Sequence, residues 1–402
     1  MPRLAGKDRC TGCTACAAVC PVSCIQMQRD DEGFLQPIVG QACVRCGKCE
    51  RVCPILNGIE GHSNARQIAF AAICKDEGLW QSSTSGGAFT CLCEAFAAQA
   101  PYAETVVYGA SMQFPQIKHI RCSASDVTPL RKSKYVQSDK GESFRSVRND
   151  LKAGKRVVFS GTPCEVAGLY SYLGKLAETD ALLLIDLICH GAGSPAVFER
   201  CVSSASSKFG DVIGYEFRCK KPVVGNYERY VSRYIYLNKH HDRKTKYIRV
   251  DEYNKLFLNQ VCLRRSCMER CHFRNRQRFG DVTLADLNGK DELYPQNNDC
   301  RGWSTVVGNT DKGRAIIRQL SGYMDMHELS TDDVARYNPL FDHSTPGNPR
   351  RNEFFKRFIA GDDMGVLAKE YGLKISLRST LLLHIPHGLK QRLKKLMRKV
   401  RL

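Results

Sequence analysis

Two cysteine runs near the amino end constrain this chain more than any other feature. Each run has the pattern C-x2-C-x2-C-x3-C followed by proline, first at Cys10, Cys13, Cys16 and Cys20 and again at Cys43, Cys46, Cys49 and Cys53. Such short spacing lets three thiolates converge from one tight loop, and Gly12 and Gly47 permit the turn. Nine of the 21 cysteines precede residue 54. This concentration predicts metal binding.

The spacing is that of bacterial 2[4Fe–4S] ferredoxins, in which the fourth cysteine of each run ligates the other cluster. Cluster 1 would use Cys10, Cys13, Cys16 and Cys53, and cluster 2 would use Cys43, Cys46, Cys49 and Cys20. Paired zinc knuckles are the alternative, because zinc also binds C-x2-C. Two copies of the full four-cysteine run with proline favour iron–sulfur clusters. Cys24 lies just beyond the first run and is predicted not to be a ligand.

The length of 402 residues favours two or three compact units. The predicted domains are residues 1–60, which form the ferredoxin module, 65–150 and 151–345, which form two parts of a larger domain, and 346–402, which form a helical appendage. The division of the larger domain rests on a family resemblance described below. The amino terminus shows no secretory signal, and no apolar run approaches the roughly 20 residues that span a bilayer. We therefore expect a cytoplasmic protein.

Strand and helix patterns alternate through the larger domain, which favours a mixed α/β sheet covered on both faces. The predicted strands are Ile68–Cys74, Thr105–Ala110, Arg156–Ser160 and Ala181–Cys189. The predicted helices are Gly86–Ala98, Glu142–Ala153, Cys164–Leu173 and Pro195–Phe209. From 212 to 250 the apolar period changes towards two, which indicates antiparallel strands.

The formal charge of +19 would suit an anionic partner. Each [4Fe–4S]2+ core held by four thiolates carries a net charge of −2, so two clusters lower +19 to +15 and a third lowers it to +13. No nucleic-acid motif accompanies the basic residues, and we predict no nucleic-acid binding.

Four further stretches, in their order and spacing, resemble the family of beta subunits of coenzyme F420 hydrogenases and dehydrogenases. They are Thr84-Ser-Gly-Gly87, Lys132-Ser-Lys-Tyr-Val-Gln-Ser138, Phe159-Ser-Gly-Thr-Pro-Cys164-Glu-Val-Ala-Gly-Leu169 and Asp186-Leu-Ile-Cys189-His-Gly191. The resemblance covers roughly residues 1 to 310. It implies FAD together with iron–sulfur clusters, and thus a flavoprotein domain with an organic or deazaflavin substrate. Many bacterial relatives stand among polysaccharide-synthesis proteins.

The resemblance also assigns binding residues. It implies that FAD is bound by Thr84, Ser85, Gly86, Gly87, Lys132, Lys134, Tyr135 and Gln137. On physical grounds a Thr-Ser-Gly-Gly loop before a helix suits phosphate, although a plain helix cap explains it equally well. The basic loop would otherwise be a solvated surface loop.

A third [4Fe–4S] cluster would be held by Cys164, Cys189, Cys267 and Cys271. Buried, inert thiols are the alternative. The last pair is separated by three residues where relatives have two, and Cys262 is close enough to compete. His190 is a candidate proton donor, with a structural role as the alternative.

Two further features bear on function. Relatives usually end Gly-Asp-Phe-Trp-Gly where this chain has Asp286-Leu-Asn-Gly289, which leaves the substrate open. The tail Leu389–Leu402 has one apolar helical face opposite seven basic residues. This pattern fits either peripheral contact with the inner face of a membrane or a terminal helix docked on the protein.

These features predict an iron–sulfur flavoprotein oxidoreductase that exchanges electrons with ferredoxin or another redox protein. Electron flow in either direction is compatible with the sequence. A non-catalytic electron-transfer subunit of a larger redox complex is the alternative from another class.

Overall fold

The computed structural model describes residues 1–62, 66–223, 226–268, 271–296, 301–344 and 346–374. The amino-terminal module consists of short helices and one antiparallel hairpin: α1 (Ala15–Val19), β1 (Ile25–Arg29), β2 (Leu35–Val39), α2 (Lys48–Arg51) and α3 (Pro54–Asn57). Each cysteine run opens one of the first two helices. The residues that cap those helices, Thr14 and Gly47, have positive φ angles of 73° and 69°.

The larger domain follows. Its first half contains β3 (Ile68–Cys74), α4 (Glu77–Ser82), α5 (Ala88–Ala98), β4 (Thr105–Gln113), β5 (Gln116–Ser123), α6 (Ser143–Lys152), β6 (Arg156–Ser160), α7 (Pro163–Leu173), β7 (Leu182–Leu187) and α8 (Pro195–Phe209). Its second half contains β8 (Asp211–Val223), β9 (Asn226–Leu237), β10 (Arg243–Arg249), α9 (Glu252–Leu258), β11 (Val282–Asp286), α10 (Lys290–Leu293), β12 (Ser304–Gly308), α11 (Asp311–Gln319), β13 (Met324–Leu329) and α12 (Thr331–Tyr337).

An eight-stranded mixed sheet forms the centre of this domain, in the order β13-β3-β12-β11-β7-β6-β4-β5. Strands β4, β6, β7 and β11 are parallel to their neighbours in that series. Because β12 is antiparallel to both β11 and β3, β3 runs in the same direction as the parallel series. The carboxyl ends of β3, β6, β7 and β11 therefore meet at one edge of the sheet. Ligands of open α/β sheets bind at that edge.

The central strands are buried on both faces, as their apolar sequences require. Val157, Val158 and Phe159 of β6 are fully buried. The amphipathic helix α6 covers one face with Phe144, Val147 and Leu151, as its sequence predicts. The fold class predicted from the alternating pattern is confirmed.

Residues 211–249 form a separate three-stranded antiparallel sheet, in the order β10-β9-β8. The change of apolar period predicted this sheet. The appendage contributes α13 (Arg351–Ile359) and α14 (Met364–Tyr371), and the basic tail Leu389–Leu402 lies outside the described residues. In the part of the chain that is described, no helix is both long and apolar enough to cross a bilayer.

Candidate functional site

The first cysteine set surrounds an apolar cavity inside the amino-terminal module. Its thiols are those predicted for cluster 1, Cys10, Cys13, Cys16 and Cys53, and Leu4, Met27 and Ile55 complete the lining. The pKa of Cys13 is raised to about 11, mainly by burial and to a smaller degree by the neighbouring thiolates of Cys10 and Cys53. Metal binding would deprotonate these four thiols, because the thiolate is the form that ligates metal.

The second set surrounds another cavity in the same module. It brings together the thiols predicted for cluster 2, Cys20, Cys43, Cys46 and Cys49. Cys24 lines this cavity as well, with its sulfur 3.4 Å from the sulfur of Cys20. Burial, followed by hydrogen bonding to Cys20, raises the pKa of Cys24 to about 11. The sequence assigned no role to Cys24, and the structure makes it a fifth thiol beside this set.

Both sets fit a cubane cluster. Within the described residues, no three His, Cys, Asp or Glu side chains are arranged to hold a single metal ion. A [4Fe–4S] cluster carries its irons at the corners of a cube, so its ligands stand wider apart than those of one ion. Four thiols around an apolar cavity are the ligand set that such a cluster requires.

The loop of the first set packs directly on the larger domain. A Cβ atom added at Gly168 of α7 would lie 2.8 Å from the sulfur of Cys13, so only glycine permits this contact. Arg264 is buried between the two parts, where its Nε donates to the Cys10 carbonyl (2.7 Å) and its Nη1 to the Leu35 carbonyl (3.0 Å). These contacts put the first cysteine set on the side of the module that faces the sheet.

A third group of thiols lies at the carboxyl edge of the sheet. Cys164 is in the first turn of α7, and Thr162 and Glu165 form a capping box that fixes that turn. Burial raises the pKa of Cys164 well above its usual value, and the nearby thiolates of Cys267 and Cys189 raise it further. Burial likewise raises the pKa of Cys189 to about 12.

The fourth member, Cys271, interacts electrostatically with both Cys189 and Cys267. The structure thus brings together all four cysteines proposed for a third cluster, despite their irregular spacing. Cys262, the predicted competitor, is fully buried in an apolar core that also contains Cys201. Cys164 lies four residues before Gly168 on α7, about 6 Å along the helix axis. Helix α7 therefore touches both the first cysteine set and this third group of thiols.

The Thr84–Gly87 loop meets the Lys132 loop at the same edge. The Thr84 hydroxyl accepts from the Ser133 amide (2.9 Å), and the Ser85 hydroxyl donates to the Trp303 carbonyl (2.5 Å). Gly87 has a φ of 90° and begins α5, while the Gly86 amide donates to the Ser304 hydroxyl. The two predicted dinucleotide segments are therefore neighbours, which the sequence alone could not establish.

The side chains of the second segment have protein partners. Lys132 pairs with Glu216 at 2.6 Å, and Lys134 donates to the carbonyls of Leu130 and Arg131. Burial, with the neighbouring Lys132 charge, lowers the pKa of Lys134 to about 7. Tyr135 stacks on Phe257 with a centroid distance of 4.9 Å.

Gln137 lies elsewhere. Its Oε1 accepts from the Leu35 amide of the ferredoxin module (2.9 Å), and its buried Nε2 packs beside Gly12 with no hydrogen-bond partner among the described residues. The sequence grouped Gln137 with Lys132 and Lys134 as a dinucleotide residue. The structure instead places this side chain in the interface between the module and the larger domain.

Two buried polar atoms near the candidate edge are left unsatisfied by the described residues. Trp303 Nε1, next to the Ser85 contact, and His190 Nε2 find no hydrogen-bond partner in the part of the chain that the structure describes. His190 lies beside Phe257, and burial lowers its pKa. Asp286, at the end of β11, pairs with Arg218. The donors present fit a polar cofactor such as a dinucleotide.

Sequence reasoning missed Gly168, Arg264 and Trp303. Gly168 stands inside a stretch that the family resemblance singled out, and Arg264 lies three residues before the predicted ligand Cys267, so their neighbourhood carried a signal. Nothing in the sequence near Trp303 points to the edge of the sheet.

Comparison with known proteins agrees with this geometry. Residues 9–57 match the 4Fe-4S dicluster domain, and residues 154–332 match the family that comprises the carboxyl-terminal part of the beta subunit of coenzyme F420 hydrogenase/dehydrogenase. The dicluster domain covers both ferredoxin runs and supports two [4Fe–4S] clusters in this chain.

Two curated relatives match parts of the chain. One subunit of the F(420)H(2) dehydrogenase of Methanosarcina mazei is 25% identical over 192 residues, which are 45% of this chain and 53% of that protein. Ferredoxin 7Fe of Hydrogenibacillus schlegelii is 44% identical over 41 residues, 10% of this chain and 47% of that protein. The chain spans about half the length of the curated relatives it matches.

A solved structure of the F420-reducing [NiFe] hydrogenase complex from Methanosarcina barkeri contains a similar chain. The TM-score is 0.44 at 14% identity, and the match covers 79% of this chain and 97% of that one.

Proposed function

We propose that this chain is an iron–sulfur flavoprotein oxidoreductase. It would exchange single electrons with a redox protein through two [4Fe–4S] clusters and electron pairs with an organic substrate or a deazaflavin through FAD. The observation that carries the proposal is α7, because its Gly168 contacts Cys13 of the first cysteine set and its first turn holds Cys164.

FAD, when bound, would exchange electrons singly with clusters and in pairs with organic compounds. Thr84, Ser85 and Gly87 would bind it where their loop meets Ser133. Tyr135 and Phe257 offer a stacked aromatic wall, and Trp303 Nε1 offers a hydrogen-bond donor. Burial lowers the pKa of His190, which favours the neutral imidazole, and its Nε2, unpartnered among the described residues, is the atom that would hold a proton near this edge.

Cys164, Cys189, Cys267 and Cys271 would hold a third cluster between the module and that edge. Their gathering from three separate segments supports the proposal, because inert core thiols need not cluster. The substrate is left to test. Polysaccharide synthesis is a context that the family resemblance suggests, and contact of the basic tail with a membrane would fit a cytoplasmic protein.

The first experiment measures iron, sulfide and flavin on anaerobically purified protein. We expect about four irons per cluster, hence about eight for two clusters and about twelve for three, with one FAD per chain. Iron without bound flavin would overturn the reductase half of the proposal.

A matched pair of variants tests the third cluster. Cys271→Ala should lose about four irons per chain, whereas Cys262→Ala, which changes a core thiol, should keep them. Equal iron in both variants would remove the third cluster from the proposal.

A non-catalytic electron-transfer subunit is the second candidate. It is favoured by the protein partners that already occupy the dinucleotide segments: Lys132 pairs with Glu216 and the Gly86 amide with Ser304. Leu287 and Asn288, where relatives carry two aromatics, favour it as well. Steady turnover of a deazaflavin by the isolated chain would exclude this candidate, since a carrier protein without its own active site needs its partner.

A further inference from the structure

We propose that the solvent-facing surface around the second cysteine set binds an acidic one-electron carrier protein. This surface, called here the cluster 2 face, consists of Val22, Val44, Arg45, Cys46 and Lys48. The inference rests on the proposed function for its clusters, and it adds the surface and the kind of partner.

The cluster 2 face exposes apolar side chains directly over a ligand thiol. Val44 is 59% exposed and Val22 is 43% exposed, and both line the cavity of the second set. Cys46 is the exposed thiol of that set. A partner that binds these residues would contact a predicted ligand of cluster 2 directly.

The charges around the face are predominantly basic. Arg45, Lys48 and Arg51 are exposed, and Arg45 and Lys48 have no acidic partner among the described residues. Arg51 lies beside Gly47 of the same loop. Glu50 is the acidic residue here, and it accepts a hydrogen bond from the Arg3 amide. An apolar centre with an unpaired basic rim is complementary to an acidic partner.

The position of the face also fits this role. The first cysteine set faces inward, because Cys13 packs on Gly168 and Arg264 holds the Cys10 carbonyl. The apolar cluster around Cys20 and Cys49 contains residues of the module alone. The second set is therefore the one that faces solvent, and the first set is the one that faces the sheet.

Other occupants fit less well. A second copy of this chain would bring the same basic rim against itself, which like charges oppose. Anionic lipid would satisfy the charges, but a flat membrane gains nothing from an exposed ligand thiol. A carrier protein alone uses the charge, the apolar contact and Cys46 together.

The experiment uses the full chain, purified anaerobically, and an acidic plant-type [2Fe–2S] ferredoxin as the probe. Calorimetry gives the Kd for the oxidised pair, so that no electron has to move. Stopped-flow bleaching of the cluster absorbance gives the second-order rate with the reduced probe. We expect Arg45→Glu and Val44→Asp each to weaken binding and slow reduction by about tenfold, because charged interface residues act mainly on association. Added salt should weaken wild-type binding more than Arg45→Glu binding.

Matched controls lie in the larger domain. Arg318→Glu reverses an exposed charge on α11, and Tyr102→Asp changes a fully exposed aromatic residue. Both should bind the probe as the wild type does. Lys48→Glu serves as a second charge reversal if Arg45→Glu loses iron. Photoreduced deazariboflavin, a small neutral reductant, should reduce all variants at one rate.

Equal Kd values for face and control variants would overturn the inference. So would binding to phosphatidylglycerol vesicles that Val44→Asp abolishes while ferredoxin binding persists. Neither measurement depends on flavin, so a chain without FAD would fail the proposed reductase and still decide the docking question.

Discussion

Substituting Gly168 by alanine tests whether α7 positions the first cluster. The added methyl carbon would lie 2.8 Å from both the Cβ and the sulfur of Cys13, whereas ordinary contacts are 3.4–4 Å. The Cys13 loop must therefore retreat by at least 0.6 Å, the difference between 3.4 and 2.8 Å. Overpacking of this kind costs about 1–3 kcal/mol, and the better helix propensity of alanine returns about 1 kcal/mol.

The net loss in the free energy of unfolding is therefore between about zero and 2 kcal/mol, so the chain should still fold. Cys13 would nevertheless leave its place among the four thiols, and we expect anaerobically purified Gly168→Ala to lose about four irons per chain. Low-temperature paramagnetic resonance after reduction would show which cluster is missing. Gly78→Ala in α4 is the control, because its added carbon would meet one carboxylate oxygen, that of Asp76, at 3.3 Å. If Gly168→Ala retains all its iron and an unchanged spectrum, the contact with α7 does not position cluster 1.

Two further predictions concern buried charges. Arg351→Met should lower the free energy of unfolding by about 3 kcal/mol in anaerobic urea titrations, because it removes the guanidinium that now holds the buried Glu32 carboxylate at 3.1 and 2.5 Å. The loss should be at the lower end of the range for a broken buried pair, because Arg265 still lies 3.6 Å from that carboxylate. The double variant Glu32→Gln/Arg351→Met should lose less, and equal losses would contradict the pairing. Burial lowers the pKa of His119 from 6.5 to about 4, so the unfolded chain takes up a proton below pH 6.5 that the folded chain refuses until about pH 4. Stability should therefore decrease as the pH falls through that window, by on the order of 3 kcal/mol for this group. Unfolding at each pH can be followed by tryptophan fluorescence. The free energy of unfolding of His119→Asn should decrease less than that of the wild type as the pH falls, and equal decreases in the two proteins would refute the assignment.

Much of the fold follows from local pattern. Strand Ile68–Cys74 and helix Pro195–Phe209 have the predicted bounds, because apolar runs and a Ser-Pro cap are local signals. The strand predicted at Ala181–Cys189 ends at Leu187, where the chain leaves the sheet to bring Cys189 to the site. The hairpin formed by β4 and β5 was not predicted, and β4 extends three residues beyond its predicted end.

The residues of the candidate site also differ in how far local sequence could predict their positions. The gathering of the eight ferredoxin cysteines into two sets was predictable, because residues spaced two or three positions apart are brought together by local geometry. The position of the Gln137 side chain was not predictable, because it depends on how the module docks on the larger domain. Its hydrogen-bond partner, Leu35, is 102 residues away in the sequence. The separation of Cys262 from Cys267 also depended on packing, with one thiol in the core and the other at the edge.

Arg264 couples the stability of the larger domain to that of the ferredoxin module. Its guanidinium belongs to the larger domain, yet two of its nitrogens hold carbonyls of the ferredoxin module. Cys10 is itself a predicted cluster ligand, so loss of iron would loosen the loop that carries one of those carbonyls and leave the buried guanidinium with fewer partners. Iron bound at the amino end would therefore stabilise the larger domain as well. Iron starvation would then make the larger domain more sensitive to proteolysis, although none of the contacts within that domain had changed.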